Sequence, residues 1–186
     1  MEPLTGTFQI APANPGDTQE LAAVAAQTFP LACPPAAGAD DIASFIGANL
    51  SGNRFEEYLG DPDRAVVTAR HDGRIIGYAM LVRGVSDHAG VQRALRLRPA
   101  AELSKIYVLP EFHRGGAAAA LMERVLTVAF DWGVRCVWLG VNRANQRAQR
   151  FYRKWGFTVA GTRTFQLGTA VESDYVMIRE LRQPRR

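Results

Sequence analysis

Lysine is nearly missing from this chain: of 22 basic residues only Lys105 and Lys154 are lysines, and the rest are arginines. These cations are scattered among 18 carboxylates rather than gathered in a tract, and no aromatic stacking motif is interleaved with them. A net charge of +4 could suit nucleic acid, but the chain lacks the clustered cations that gain affinity by releasing phosphate counterions. A small polyanionic ligand suits the same charge equally well, and composition alone does not choose. Cysteine is scarce too. Cys33 and Cys136 lie far apart, and neither has a CxxC or Cys/His partner at ligand spacing, so a loop thiol and a strand thiol are expected and no metal. No apolar run approaches the roughly 20 residues that cross a bilayer. Met1 to Ile10 lacks a basic segment followed by an apolar core. No membrane partner is expected, and the cytoplasm is the expected compartment.

What remains is ordinary globular composition, 47% hydrophobic and 22% charged over 186 residues, which predicts a single domain spanning 1–186. Strand-like and helix-like patterns alternate along it. A strand is expected over Thr7–Ala11, then a helix over Asp17–Phe29 broken by Pro30, a helix from Asp40 or Asp41 to Leu50, and a short helical piece over Phe55–Leu59. Ala65–Ala69 and Ile75–Val82 are β-branched runs joined by His71-Asp72-Gly73-Arg74, a hairpin signal. Arg83–Ala100 reads as loop. A strand over Leu103–Leu109, a helix over Gly116–Asp131, a doubly buried strand over Val134–Val141 and a helix over Ala144–Trp155 follow, with Gln149 on the outer face of the last. Strands over Phe157–Leu167 and Ser173–Leu181 complete an α/β sheet covered by helices.

The chemistry concentrates where the strand ending at Leu109 runs through Pro110-Glu111-Phe112-His113-Arg114-Gly115-Gly116-Ala117-Ala118 into an alanine-rich helix. Positions 115 to 120 carry almost no side chain, so a ligand can approach the backbone closely. The free N–H groups of the first helical turn and its dipole attract an anion such as a diphosphate. Glycines also serve tight turns for steric reasons, and this loop alone does not decide the matter.

The stretch from Lys105 to Met122 resembles the acetyl-CoA-binding motif of the GCN5-related N-acetyltransferases (GNAT), whose loop is written Q/R-x-x-G-x-G/A; its six positions are His113 to Ala118 here. Val141-Asn142-Arg143-Ala144-Asn145 through Ala148, Phe151-Tyr152, Lys154 and Gly156-Phe157 resembles the second signature of that superfamily, V-N-x-x-N-x-x-A-x-x-F-Y-x-K-x-G-F. Both stand in the right order with a strand between them. The resemblance implies a GNAT fold: a central mixed, mostly antiparallel sheet of about seven strands flanked by about four helices, with a cofactor-binding core at about 101–157. Within the superfamily, Thr164 to Gly168 with Asp174 to Leu181, the Trp138-Leu139-Gly140 strand and the helical insert from Asp40 to Leu59 resemble the bacterial polyamine N-acetyltransferases. His113 departs from the Q/R position, offering only a titratable donor.

The resemblance implies transfer of an acetyl group from acetyl-CoA to a primary amine of a small molecule, with a polyamine as the narrower choice. An amino acid, an antibiotic amine or a protein amino terminus are alternative acceptors. Such a reaction needs a neutral amine, a donor to the developing oxyanion, and a proton for the departing thiolate. Tyr152 matches the general acid of the family. The backbone of Ile106, Tyr107 and Val108 would line the cofactor, with the Val108 N–H as oxyanion donor. Arg114, Gly115, Gly116, Ala117, Ala118 and Ala119, beside His113, would hold the diphosphate, and Asn145 the pantetheine arm or its neighbouring phosphate. In isolation Asn145 also reads as a helix cap and Tyr152 as a core aromatic. Some members place a glutamate where Ser104 stands here; Glu102, two residues earlier on the same face by strand alternation, is the candidate base.

The acceptor pocket is expected from segments 30–60, 83–100 and 162–172. Arg93, Arg96 and Arg98 read as a solvated loop, with the adenosine 3′-phosphate or an acidic substrate as alternative partners, and they argue mildly against a polycationic acceptor. Two other classes stay open: a non-catalytic acetyl-CoA-binding regulator, for which Ser104 is the hint, and a nucleic-acid binder driven by charge. A homodimer is compatible with the resemblance.

Overall fold

The computed structural model describes residues 7–182; the segments 1–6 and 183–186, which the reading of a 1–186 domain and of the amino terminus included, lie outside them. Apolar periodicity places most of the elements. Strand β1 (Gln9–Pro12) leads through a 3₁₀ turn into α1 (Thr18–Ala32), then α2 (Ala39–Asn49) and α3 (Gly52–Gly60). The hairpin β2 (Arg64–His71) and β3 (Arg74–Arg83) follows, then α4 (Ala89–Ala94), β4 (Ala100–Val108), α5 (Ala117–Asp131), β5 (Cys136–Asn142), α6 (Gln146–Lys154), β6 (Thr158–Leu167) and β7 (Ala170–Glu180). One seven-stranded sheet runs in the order β1-β2-β3-β4-β5-β7-β6. All its pairings are antiparallel except β4 with β5. The α/β architecture is the expected one.

Asp72 and Gly73 both take positive φ, 49° and 77°, the backbone that a two-residue hairpin turn demands. On α5 the residues Leu121, Met122, Val125 and Ala129 are buried against the sheet as their 3.6-residue period predicts. Three readings need correction. The first helix does not stop at Pro30 but continues to Ala32. Proline there forfeits one main-chain bond in the last turn, where few remain to be made. Gln149 is buried rather than outward, because its amide donates to the carbonyls of Asn142 at 3.2 Å and Arg143 at 2.9 Å and so ties the loop to α6.

The segment 83–100 is not all loop. Its α4 packs on β6 and, with Val91 and Leu95, joins Cys136, Trp138 and Val176 in a second core. It does so at close range: a β-carbon on Gly161 would stand 3.0 Å from Ala94 Cβ. Among the described residues no helix is long and apolar enough to cross a membrane.

Candidate active site

The parallel pair β4 and β5 is registered over only three residues, Ala100↔Cys136, Ala101↔Val137 and Glu102↔Trp138. Beyond Glu102 the two strands part, β4 staying with β3 and β5 with β7. Main-chain groups in an extended strand point alternately to either side. The Leu109 N–H donates to Ile76 O on β3 at 2.8 Å, so the main-chain groups of Ile106 and Val108 face the other way, into the gap. The Val108 carbonyl confirms this direction by accepting a bond from His113 Nε2 at 2.7 Å. Since a carbonyl only accepts, Nε2 is the donor in this bond.

A cavity of about 520 Å³ opens in the gap, and Glu102, Ile106, Tyr107, Val108, Asn145 and Tyr152 all line it. His113 and Ala118 reach it from the glycine loop. Burial pushes the Tyr152 phenol far above its ordinary value, with Tyr107 adding to the rise, and pushes Tyr107 up to about 12. Both phenols therefore hold their protons at neutral pH. The amphipathic α6 aims Tyr152 inward, where its ring meets Phe151 at 5.7 Å and Phe157 at 5.9 Å. Asn145 caps α6, its Oδ1 accepting the Ala148 N–H at 3.1 Å. The capping and the cavity-lining readings of that residue both hold.

At the N-terminus of α5, Gly116 takes φ 86° with open space where a β-carbon would stand. The first turn, Ala117 to Ala119, has N–H groups without intrahelical partners, and no side chain caps the helix. Two of the loop residues are spent otherwise. The Gly115 N–H donates to Phe112 O at 3.1 Å, and a β-carbon there would stand 2.9 Å from Phe8 Cζ. The residue is small for packing. His113 gives its Nε2–H to Val108 and so braces the loop against β4 instead of offering that donor to a ligand. Arg114, Gly116, Ala118 and Ala119 remain the exposed or half-buried rim, while the side chain of Ala117 is buried.

Glu102 stands at the fork of the two strands. Burial raises its carboxyl pKa above the usual range, opposed by Arg163, Lys105 and Arg64. Arg163 lies between two carboxylates, its Nη1 3.9 Å from Glu102 and its Nε 3.3 Å from Asp174. Asp174 is 6% exposed, and burial raises it against the pull of Arg163. Lys105 also lines the cavity; burial pushes its pKa down to about 8, Glu102 pulling it back up.

Lys105 and Asp174 stand at the ends of motif segments without a role of their own there, and Arg163 lies in none. The arginine and aspartate face each other only through the β6–β7 register, Arg163↔Asp174. For Lys105 a signal existed: one of only two lysines in an arginine-rich chain, placed within a strand two residues after Leu103. Of the segments expected to build the acceptor side, 30–60 and 162–172 do line the cavity through residues such as Cys33, Phe45 and Phe165. Segment 83–100 does not; it buttresses β6, and Arg98 is engaged with Gln92 at 2.7 Å.

The model of the acetyltransferase (GNAT) family matches residues 36–157, about two thirds of the chain and both signature segments. The chain belongs to this family. An uncharacterised N-acetyltransferase of Mycobacterium tuberculosis is 63% identical over 165 residues, covering 89% of this chain and 98% of that protein. Among solved structures, the PaiA N-acetyltransferase of Thermoplasma acidophilum in complex with coenzyme A superposes with a TM-score of 0.75 at 20% identity, covering 94% of this chain and 99% of that one. A GCN5-related N-acetyltransferase of Rhodopseudomonas palustris gives 0.70 at 15% identity, covering 97% and 99%. These two likenesses establish a common GNAT fold. This GNAT protein is an acetyltransferase.

Proposed function

We propose that the protein transfers an acetyl group from acetyl-CoA to a primary amine carried by a small molecule. The observation that carries this reading is that the main-chain face of Ile106 and Val108, paired with no other strand, and the Tyr152 side chain line one cavity. The donor set fits the cofactor: open N–H groups at the start of α5 for a diphosphate, a side-chain-free Gly116 beside them, and a strand edge along which an amide-bearing arm can pair. Acetyl-CoA supplies an activated acetyl thioester. The Val108 N–H donates to the carbonyl oxygen placed in the gap, a donor fixed before the reaction begins. Tyr152 holds the proton that the departing sulfur takes. The same burial that raises the phenol raises the thiol, so the transfer stays feasible inside the cavity. Glu102, as its ionised carboxylate, receives the proton of the incoming amine directly or through water.

The finer reading of the acceptor as a polyamine comes from the likeness of the chain's end and of its Asp40–Leu59 insert. Lys105 and Arg163 work against it, because each repels a second ammonium in a confined, weakly screened space. A non-catalytic regulator was suggested by Ser104, and Glu102 in the cavity supplies the carboxylate that Ser104 lacks. The test is purified protein with acetyl-CoA and a panel of amines, read by thiol release, beside calorimetry of coenzyme A. Turnover with at least one amine is expected; coenzyme A binding without release for any amine contradicts the reading.

A further inference from the structure

Beyond the reaction itself, the cavity has a charge that its own residues do not answer. Arg163 is matched by Glu102 and Asp174. Lys105 has no carboxylate within 4.0 Å of its Nζ among the described residues; its polar contact is Ser104 Oγ at 3.2 Å, and the Tyr58 ring stands 5.8 Å away. Arg64, the other cation nearby, is paired with Asp61 at 3.0 Å. Lys105 is half-buried, and a largely desolvated ammonium without a counter-ion is unfavourable unless something else supplies one. Glu102 is near enough to favour the charged form, yet it already faces Arg163.

The same cavity carries an aromatic wall. The Phe29 and Phe45 rings stack at 4.5 Å with 9° between planes, and Phe165 meets Phe45 edge-on at 5.8 Å. All three line the cavity. Such a surface takes an apolar group and penalises a hydrated one. The acceptor shares this cavity with the pantetheine arm, so its groups meet these charges and rings at close range.

We propose that the acceptor is an amine that also bears a carboxylate and an apolar or aromatic side group, an amino acid or a close relative, and that Lys105 binds that carboxylate while Phe29, Phe45 and Phe165 receive the side group. This rests on the acetyl-transfer reading above and names its substrate class. The geometry gives each group of the acceptor a separate partner: Glu102 for the amine, Lys105 for the acid, the phenylalanines for the side chain. Aliphatic polyamines satisfy only the first.

The experiment compares matched acceptors under acetyl-CoA saturation: phenylalanine against phenylalaninamide, leucine against leucinamide, and spermidine. The wild-type protein is expected to favour each acid over its amide by roughly ten- to a hundredfold in kcat/KM, the range of a hydrogen bond to a charged group. In Lys105→Gln that ratio falls to near one, and Lys105→Arg restores part of it, with coenzyme A affinity measured in each variant to verify folding. Amides or spermidine used as well as the acids by the wild type, or a preference that survives in Lys105→Gln, overturns the inference and leaves acetyl transfer standing. Thiol release with no amine at all, despite coenzyme A binding, defeats the underlying reaction instead. The wild-type ratio is decisive even where a variant does not fold.

Discussion

The Arg163 guanidinium occupies the space that a β-carbon on Gly140 would fill. Glycine in the middle of β5 thus lets an arginine from β6 lie across the strand and stand between Glu102 and Asp174. Gly140→Ala should push the guanidinium aside, because its flexible end yields more readily than the backbone. The expected result is a KM for the amine raised by about tenfold, from the loss of one charge-assisted contact network, with coenzyme A affinity unchanged. Steady-state kinetics with calorimetry checks this, and an unaltered KM would show that Arg163 has no part in acceptor binding.

Gly116 and Gly115 separate two uses of glycine in one loop. At Gly116 a methyl group meets open space but the left-handed backbone disfavours it by about 1–2 kcal/mol, and the methyl enters the region assigned to the diphosphate. Gly116→Ala should weaken coenzyme A binding by roughly tenfold, a loss of about 1.4 kcal/mol. Gly115→Ala should instead lower thermal stability through its contact with Phe8. Calorimetry and thermal unfolding on both variants test the pair, and the reverse pattern would move the diphosphate elsewhere.

Much of this was legible from local pattern. The Asp72-Gly73 turn, the stripe of α5 and the two signature segments each depend on residues near one another in the chain. A motif pointed at Tyr152 and a strand period, interrupted in the structure by a register shift at Ser104, pointed at Glu102; both line the cavity. The six residues of α4 are too few for a helical period to emerge, and their helix is held by packing on β6. The Arg163–Asp174–Glu102 network and the unmatched Lys105 depend on which strands lie side by side, and on where β4 and β5 part. Such register is set by the whole core, so no short window of sequence carries it. His113 illustrates the same limit: its place in the loop was evident, but its bond to Val108 needed the strand direction.

Lys105 gives a signed pH prediction. Its pKa falls from 10.5 to about 8 on folding, so between those values the unfolded chain binds more protons and stability rises with pH. Below about pH 8 the charged lysine weighs fully against the fold. Lys105→Met should therefore be more stable than the wild type at pH 7 by about 2–3 kcal/mol, with the gap narrowing as pH rises from 8 towards 10.5. Urea unfolding at pH 7 and pH 9.5 measures it. A gap that is absent or independent of pH would mean that Lys105 is not buried as a cation.

The most direct measurement is turnover by Tyr152→Phe, which keeps the ring and its packing and removes the hydroxyl alone. With the best amine found for the wild type, thiol release should fall by about 100-fold or more, the range for loss of a general acid, while the coenzyme A dissociation constant stays within about threefold, as expected for a group that acts on the chemical step. Wild-type turnover in that variant would contradict the account, since no proton held by Tyr152 would then be needed.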